Sequence, residues 1–238
     1  MFGLGTIINV AAIIVGGLFG ILFGKFLKET HQDSLTKVCG ISVLFIGITG
    51  ALEGMLTVNN GVITSNGSLL VIGCLAIGTL FGELLNIEGL FERFGQWLKI
   101  KTGSSKDKQF VEGFVSASLT VSIGAMAIVG AIQDALLGDI STLVTKAILD
   151  LIIIMVMTCS MGKGCIFSAI PVGILQGSVT ALAVLIKPLM TPAALANISM
   201  IGAILIFCVG LNLVWGKKVR VANMLPSVII AVIAAFLT

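Results

Sequence analysis

Asp, Glu, Lys and Arg are placed along this chain so that stretches of about membrane length carry almost none of them. Residues 1–24, 113–133, 164–186, 188–216 and 221–238 hold no charged side chain, and 38–57, 68–86 and 141–162 hold one or two each. A spanning helix needs about 20 apolar residues, because its backbone polar groups must be satisfied inside the segment. The pattern predicts an all-α membrane protein, a polytopic bundle of about eight transmembrane helices.

Between the third and fourth stretches the period changes. Ile87, Leu90, Phe91, Phe94, Trp97 and Leu98 recur every three or four residues, with Glu88, Glu92, Arg93 and Lys99 on the other faces. This predicts an amphipathic helix over 87–101, lying in the interface and tethering two halves. Thr102–Lys108 is the one linker-like stretch. The chain therefore divides, within a single transmembrane domain 1–238, into a first half 1–101 and a second half 109–238. Val15–Leu22 and Ile77–Leu84 match in six of eight positions, counting Val for Ile. A duplicated hairpin and a coincidence among Gly and Leu both account for that match.

Composition removes the room for anything else. The chain is 57% hydrophobic and 11% charged, where an ordinary soluble domain is roughly 25% charged. No soluble domain of useful size is left over. The net charge of +3 gives no reason to expect nucleic acid as a partner; the expected surroundings are the lipid bilayer. Of the 14 Lys and Arg, 12 fall in or beside alternate loops, leaving Lys187 opposite and Lys146 inside a span. By the positive-inside rule the basic side is cytoplasmic and both termini face out. Trp97 and Trp215 fall at the same interface. The first stretch lacks a basic leader region and a small-residue cleavage site, so it is expected to stay as a span. Five cysteines lie in or beside apolar spans, without metal-ligand spacing, as buried small hydrophobes.

Gly16, Gly20 and Gly24 form a double G-x-x-x-G, and Gly50/Gly54, Gly78/Gly82 and Gly173/Gly177 repeat the single form. Small residues at this spacing let helix backbones approach closely. Packing within the chain is the favoured role; a homo-oligomer through Gly16, Gly20 and Gly24 is the other.

Candidate chemistry is confined to the few polar groups inside the spans. Asp150 falls about midway along 141–162, where a charge costs at least ~2.5–3.5 kcal/mol. Lys146 lies four residues earlier, on the same helical face, so the two can pair. A functional ion site and a structural ion pair are both consistent with this spacing. Glu53 and Glu83 lie near span ends, within reach of an interface. Asn9, Gln133, Asp134, Gln176 and Asn212 add amides and a carboxylate to apolar surroundings. Pro171 frees the Phe167 carbonyl in the sixth span and predicts a kink or local unwinding there. Ser116, Ser118, Thr120 and Ser122 alternate at period two, and a regular helix is the favoured reading of that segment. The single histidine, His31, sits in a charged loop, and no metallopeptidase, nucleophile-elbow, phosphate-loop or zinc motif occurs. No enzyme activity, metal or cofactor is expected.

The segments Gly5–Asn9, Gly124–Asp134, Gly138-Asp139, Thr145–Asp150, Ser168–Pro171, Gln176-Gly177, Gly210–Asn212 and Ala222–Pro226 together resemble the YqgA-like bacterial membrane proteins, a family of unknown function numbered 554 among such domains. The resemblance runs nearly end to end. It implies a multi-pass protein of the bacterial plasma membrane. It also makes Asn9, Gln133, Asp134, Lys146, Asp150, Gln176, Asn212 and Asn223 one polar set. Two functions follow as expectations. In the first the chain is a secondary transporter or channel for an ion or small polar solute, with Asp150 binding a cation or proton. The alternative is a structural or sensory membrane protein whose polar residues only specify packing.

Overall fold

The computed structural model describes residues 3–59, 61–123 and 125–236. The first long helices are α1 (Leu4–Gly24) and α2 (Glu29–Met55), followed by a hairpin of β1 (Leu56–Asn59) and β2 (Val62–Ser65). Then come α3 (Ser68–Leu85), α4 (Ile87–Lys101), α5 (Phe110–Ser122), α6 (Ala125–Leu137) and α7 (Ser141–Met161). A 3-10 stretch, Lys163–Ser168, runs into α8 (Ala169–Ala181), and the short α9 (Ala183–Ile186) leads to α10 (Pro192–Trp215). The described chain closes with a 3-10 turn, Val221–Met224, and α11 (Pro226–Ala234). The protein is an all-α membrane bundle, as the charge pattern predicts. The small hairpin, paired from Leu56 with Ser65 to Asn59 with Val62, was not expected.

Among the described residues six helical segments are long and apolar enough to cross a membrane, and a seventh is formed if the bent pair of α5 and α6 counts as one span. The expected count of eight is not reached among them. Val221–Ala234 makes only a short apolar helix, less than the ~20 residues of a crossing. Pro226 sits in its first turn, where the missing N–H costs nothing, and the segment before it is a 3-10 turn; residues 237 and 238 lie outside the described part.

The second departure is in the fourth span. The expected regular helix is broken: α5 ends at Ser122, Ile123 is extended (φ −85°, ψ 128°), and α6 continues at 60°. The chain is irregular just before Pro171, in the 3-10 stretch 163–168, while Pro171 itself sits in the first turn of α8. There a missing N–H leaves no intrahelical bond unmade, so the kink expected at Pro171 is not seen at that residue.

Glycines set which helices touch. Along α1, a Cβ on Gly16 would strike the Leu151 carbonyl, and one on Gly20 would lie 2.6 Å from both Met155 O and Thr158 Cβ. The order of these contacts makes α1 and α7 parallel neighbours. It also means that α7, not a second copy, fills the Gly16–Gly20–Gly24 seam. Gly40, Gly47, Gly50 and Gly54 of α2 meet Val214, Phe207, Ala203 and Met200 in turn, so α2 and α10 run antiparallel. Gly78 and Gly82 do the same for α3 against Ser227 and Asn223. The two similar segments at 15–22 and 77–84 thus perform one task, docking a glycine face on a partner. Each helix of the first half packs on one of the second, so the halves interlock.

These pairings place the Lys- and Arg-rich loops together at one end, hereafter the basic side. The hairpin, the α6–α7 turn and the α8–α10 connection lie at the opposite side. Helix α4 covers the basic end with the expected bounds. Its Leu98 packs with Phe110 and Phe114, while Leu90, Phe94, Trp97 and Ile100 stay exposed. Such a face suits lipid.

Candidate functional site

Asp150 and Lys146 sit inside the bundle at mid-depth, with side chains 6% and 8% exposed. They form an ion pair, and Lys146 Nζ also donates to the Val121 carbonyl oxygen at 2.7 Å. That second bond explains the broken helix. Val121 is in the last turn of α5, where a carbonyl has no intrahelical N–H partner. The α5 C-terminus carries partial negative charge, which the ammonium matches. An unpaired carbonyl in hydrocarbon costs several kcal/mol, so a break is tolerated only where protein or water satisfies it. Here a buried lysine does so.

Asn9 enters from α1. It is fully buried, and its side chain faces the Asp150 carboxylate, in position to donate a hydrogen bond to it. Four residues earlier on the same helix, Gly5 N donates to Asp134 Oδ2 at 2.8 Å. Asp134, 2% exposed, therefore caps the positive end of α1. Asp134 Oδ1 is left without a partner. Asn9, Asp134, Lys146 and Asp150 thus gather where α1, α6, α7 and the end of α5 meet.

Gln176 extends this polar set toward the opposite side. Thr180 meets Gly3 and Gly173 meets Val10, which sets Gln176, one turn from each, at the level of Thr6 on the same face of α1. Gln176 is fully buried, and neither end of its amide has a partner; Thr6 and Thr180 hydroxyls are also unpartnered. Native interiors leave few such groups unsatisfied, and ordered water or a ligand accounts for them.

The other predicted residues belong elsewhere. Gln133 Oε1 accepts from Thr142 Oγ1 at 2.7 Å and fastens α6 to α7 at the opposite side. Pro171 lines an apolar cleft of about 710 Å³ together with Leu175 and Val228, and its wall reaches the α5–α6 break at Ser122 and Ile123. Asn212 closes the turn after α10: its Oδ1 accepts from the Lys218 and Val219 amides at 2.8 and 2.9 Å, and its Nδ2 donates to Val219 O at 2.7 Å. Asn223 Oδ1 accepts from Glu88 N at 2.7 Å, at the start of α4.

That last contact belongs to a latch missed by the periodicity argument. Glu88, assigned to the polar face of α4, is instead 2% exposed. Its carboxylate accepts from Ala222 N at 3.3 Å and pairs with Lys217 at 2.6 Å, and Lys217 also pairs with Glu92. Burial opposes the charge on Lys217, but its hydrogen bonds to Glu88 and Glu92 outweigh that and hold it above the ordinary lysine range. Glu83 pairs with Arg220 at 2.7 Å, and Glu53 is exposed. The latch borders a vestibule of about 1130 Å³ on the basic side. Glu112, Ser116 and Leu119 line it along α5, so its wall reaches within two residues of Val121.

The family model described as "Protein of unknown function (DUF554)" matches residues 4–236. The chain belongs to this family. It is 31% identical over 232 residues to the uncharacterized membrane protein YdfK of Bacillus subtilis strain 168, covering 98% of this chain and 95% of that one. To the uncharacterized protein YqgA of Escherichia coli K12 it is 30% identical over 232 residues, covering 96% and 94%. No solved structure matches the chain. The name of the Bacillus subtilis relative agrees with a membrane protein, and the chemistry is left to the site itself.

Proposed function

We propose that this protein is a secondary transporter or channel for an ion or small polar solute, working at the Lys146–Asp150 site. The observation that carries the reading is the broken α5–α6 span, whose freed Val121 carbonyl is held by Lys146. Discontinuous helices with charged residues at mid-depth are how transporters build ion sites inside a bilayer. The surroundings support the same reading. On the basic side the vestibule approaches the break; on the other lie the buried Thr6, Gln176 and Thr180 side chains, without hydrogen-bond partners among the described residues. Polar groups thus flank the pair toward both faces, which suits a site reached in turn from each side. The basic side is the cytoplasmic one by the positive-inside rule, so the vestibule opens inward.

A structural or sensory role would need the polar groups only for packing. Packing alone gives no reason for Gln176 to stay unpaired among the described residues, since an apolar residue of the same shape is less costly there. The test is purified protein in vesicles carrying trapped pH- and ion-sensitive dyes, challenged with gradients of protons, alkali cations and small metabolites. Protein-dependent flux is expected for at least one gradient. Vesicles as tight as protein-free ones under every gradient overturn the reading.

A further inference from the structure

From residue 164 to 216, and again from 221 to 238, one side chain is charged, and it is Lys187. It lies in the α8–α10 connection, so it is the one Lys or Arg of the chain toward the opposite side. A base there works against the positive-inside bias, and orientation gives no reason for it. Lys187 is exposed and makes no ion pair among the described residues.

Its neighbours suggest the reason. Ile186 and Leu189, on either side of it, both line the apolar cleft of about 710 Å³. From this mouth the cleft follows α8 inward past Val179 and Leu175, and its far wall is the break at Ser122 and Ile123. The volume is in the range of ligand pockets, about 300–1,000 Å³. Walls of this kind offer water no hydrogen bonds, so the cleft suits hydrocarbon. Lipid tails are as apolar as leucine, which makes a tail in the cleft hardly better placed than one in the bilayer. Selectivity must then come from the mouth, where the ammonium selects a negative headgroup.

We propose that this groove binds one anionic phospholipid of the leaflet on the opposite side, with an acyl chain in the cleft and the phosphate at Lys187. The headgroup gives the unpaired ammonium its counter-charge, and the tail reaches inward to the side chains at the α5–α6 break. A second copy of the chain fits the mouth less well. Its exposed acids toward that side, among the described residues, are Glu53 and Asp139, and Asp139 already accepts from Ser141 N at 2.9 Å. The inference is independent of the transport reading.

The test places a reporter in the groove. Ile229 lines the cleft and is 65% exposed. Ile229→Trp is made in the full chain together with Trp97→Phe and Trp215→Phe, which leaves one tryptophan. In detergent, tail-brominated phosphatidylglycerol is expected to quench its emission saturably. Half-quenching should need about fivefold less of it than of tail-brominated phosphatidylcholine, the effect of one basic residue on an anionic lipid. Lys187→Met should abolish that difference, and Lys187→Arg should keep it. Quenching that never saturates, that is alike for the two lipids, or whose difference survives Lys187→Met reports ordinary surrounding lipid and overturns the proposal. No quenching, with a dimer in light scattering, assigns the groove to a second copy and overturns it too. Should the tryptophan chain fail to fold, native mass spectrometry of wild type and Lys187→Met reads the same preference from bound lipid. Equal retention of both lipids by wild type is then the overturning result.

Discussion

Lys146 meets two needs at once, the charge of Asp150 and the open carbonyl of Val121, and this shapes what substitution does there. Asp150→Asn alone leaves a buried ammonium with one carbonyl and is expected to cost about 3–5 kcal/mol in chemical unfolding. Adding Lys146→Met removes the stranded charge, and most of that stability should return. Asp134 makes a smaller contribution, as the cap of α1. Asp134→Ala should lower stability by about 1–2 kcal/mol and Asp134→Asn by less, because an amide oxygen still accepts from Gly5 N. At Lys217 the sign of the pH effect follows from its raised value. A lysine that gains partners on folding contributes stability in full below its unfolded value, ~10.4, and loses it only as the pH rises through the higher folded value. Trp97, on the latched helix and lining the vestibule, reports this once the other tryptophan is removed by Trp215→Phe. Its emission should stay constant through neutral pH and change only above about pH 10.4, and the chain has no tyrosine to obscure the titration. Lys217→Met should show the changed emission already at neutral pH.

Among the elements, identical motifs separate into different outcomes. Gly16/Gly20 and Gly173/Gly177 have the same spacing, yet a Cβ on Gly20 meets a backbone carbonyl while one on Gly177 meets nothing within 4 Å. Gly20→Leu should therefore force α1 from α7 and cost at least about 3 kcal/mol. Gly177→Ala should be neutral or stabilising by up to about 1 kcal/mol, since alanine is the better helix former. Sequence patterning located most spans and α4 within a few residues, because hydrophobic length and period are local properties. It also picked out Asp150 with Lys146, because a charge in an apolar run stands out. The α5–α6 break was not legible. It depends on Lys146 reaching the Val121 carbonyl from 25 residues further on, and the period-two serines before it were compatible with a plain helix. Glu88 was misassigned for a similar reason: its partners, Ala222 and Lys217, lie more than a hundred residues away.

Across the whole molecule, pairing first-half with second-half helices puts the ion pair at the centre and the basic loops at one end. By the positive-inside rule that end is expected in the cytoplasm, so a reporter on the 56–65 hairpin should be active outside the membrane; one active only in the cytoplasm would reverse the vestibule's direction. The Lys146–Asp150 site is proposed to be the transport site and not only a packing device. The most direct measurement compares vesicle flux and unfolding for wild type and the double variant Asp150→Asn with Lys146→Met. A transport site predicts a double variant nearly as stable as wild type whose flux falls to that of protein-free vesicles. Wild-type flux from that stable, neutral double variant would contradict the claim and leave the pair a structural one.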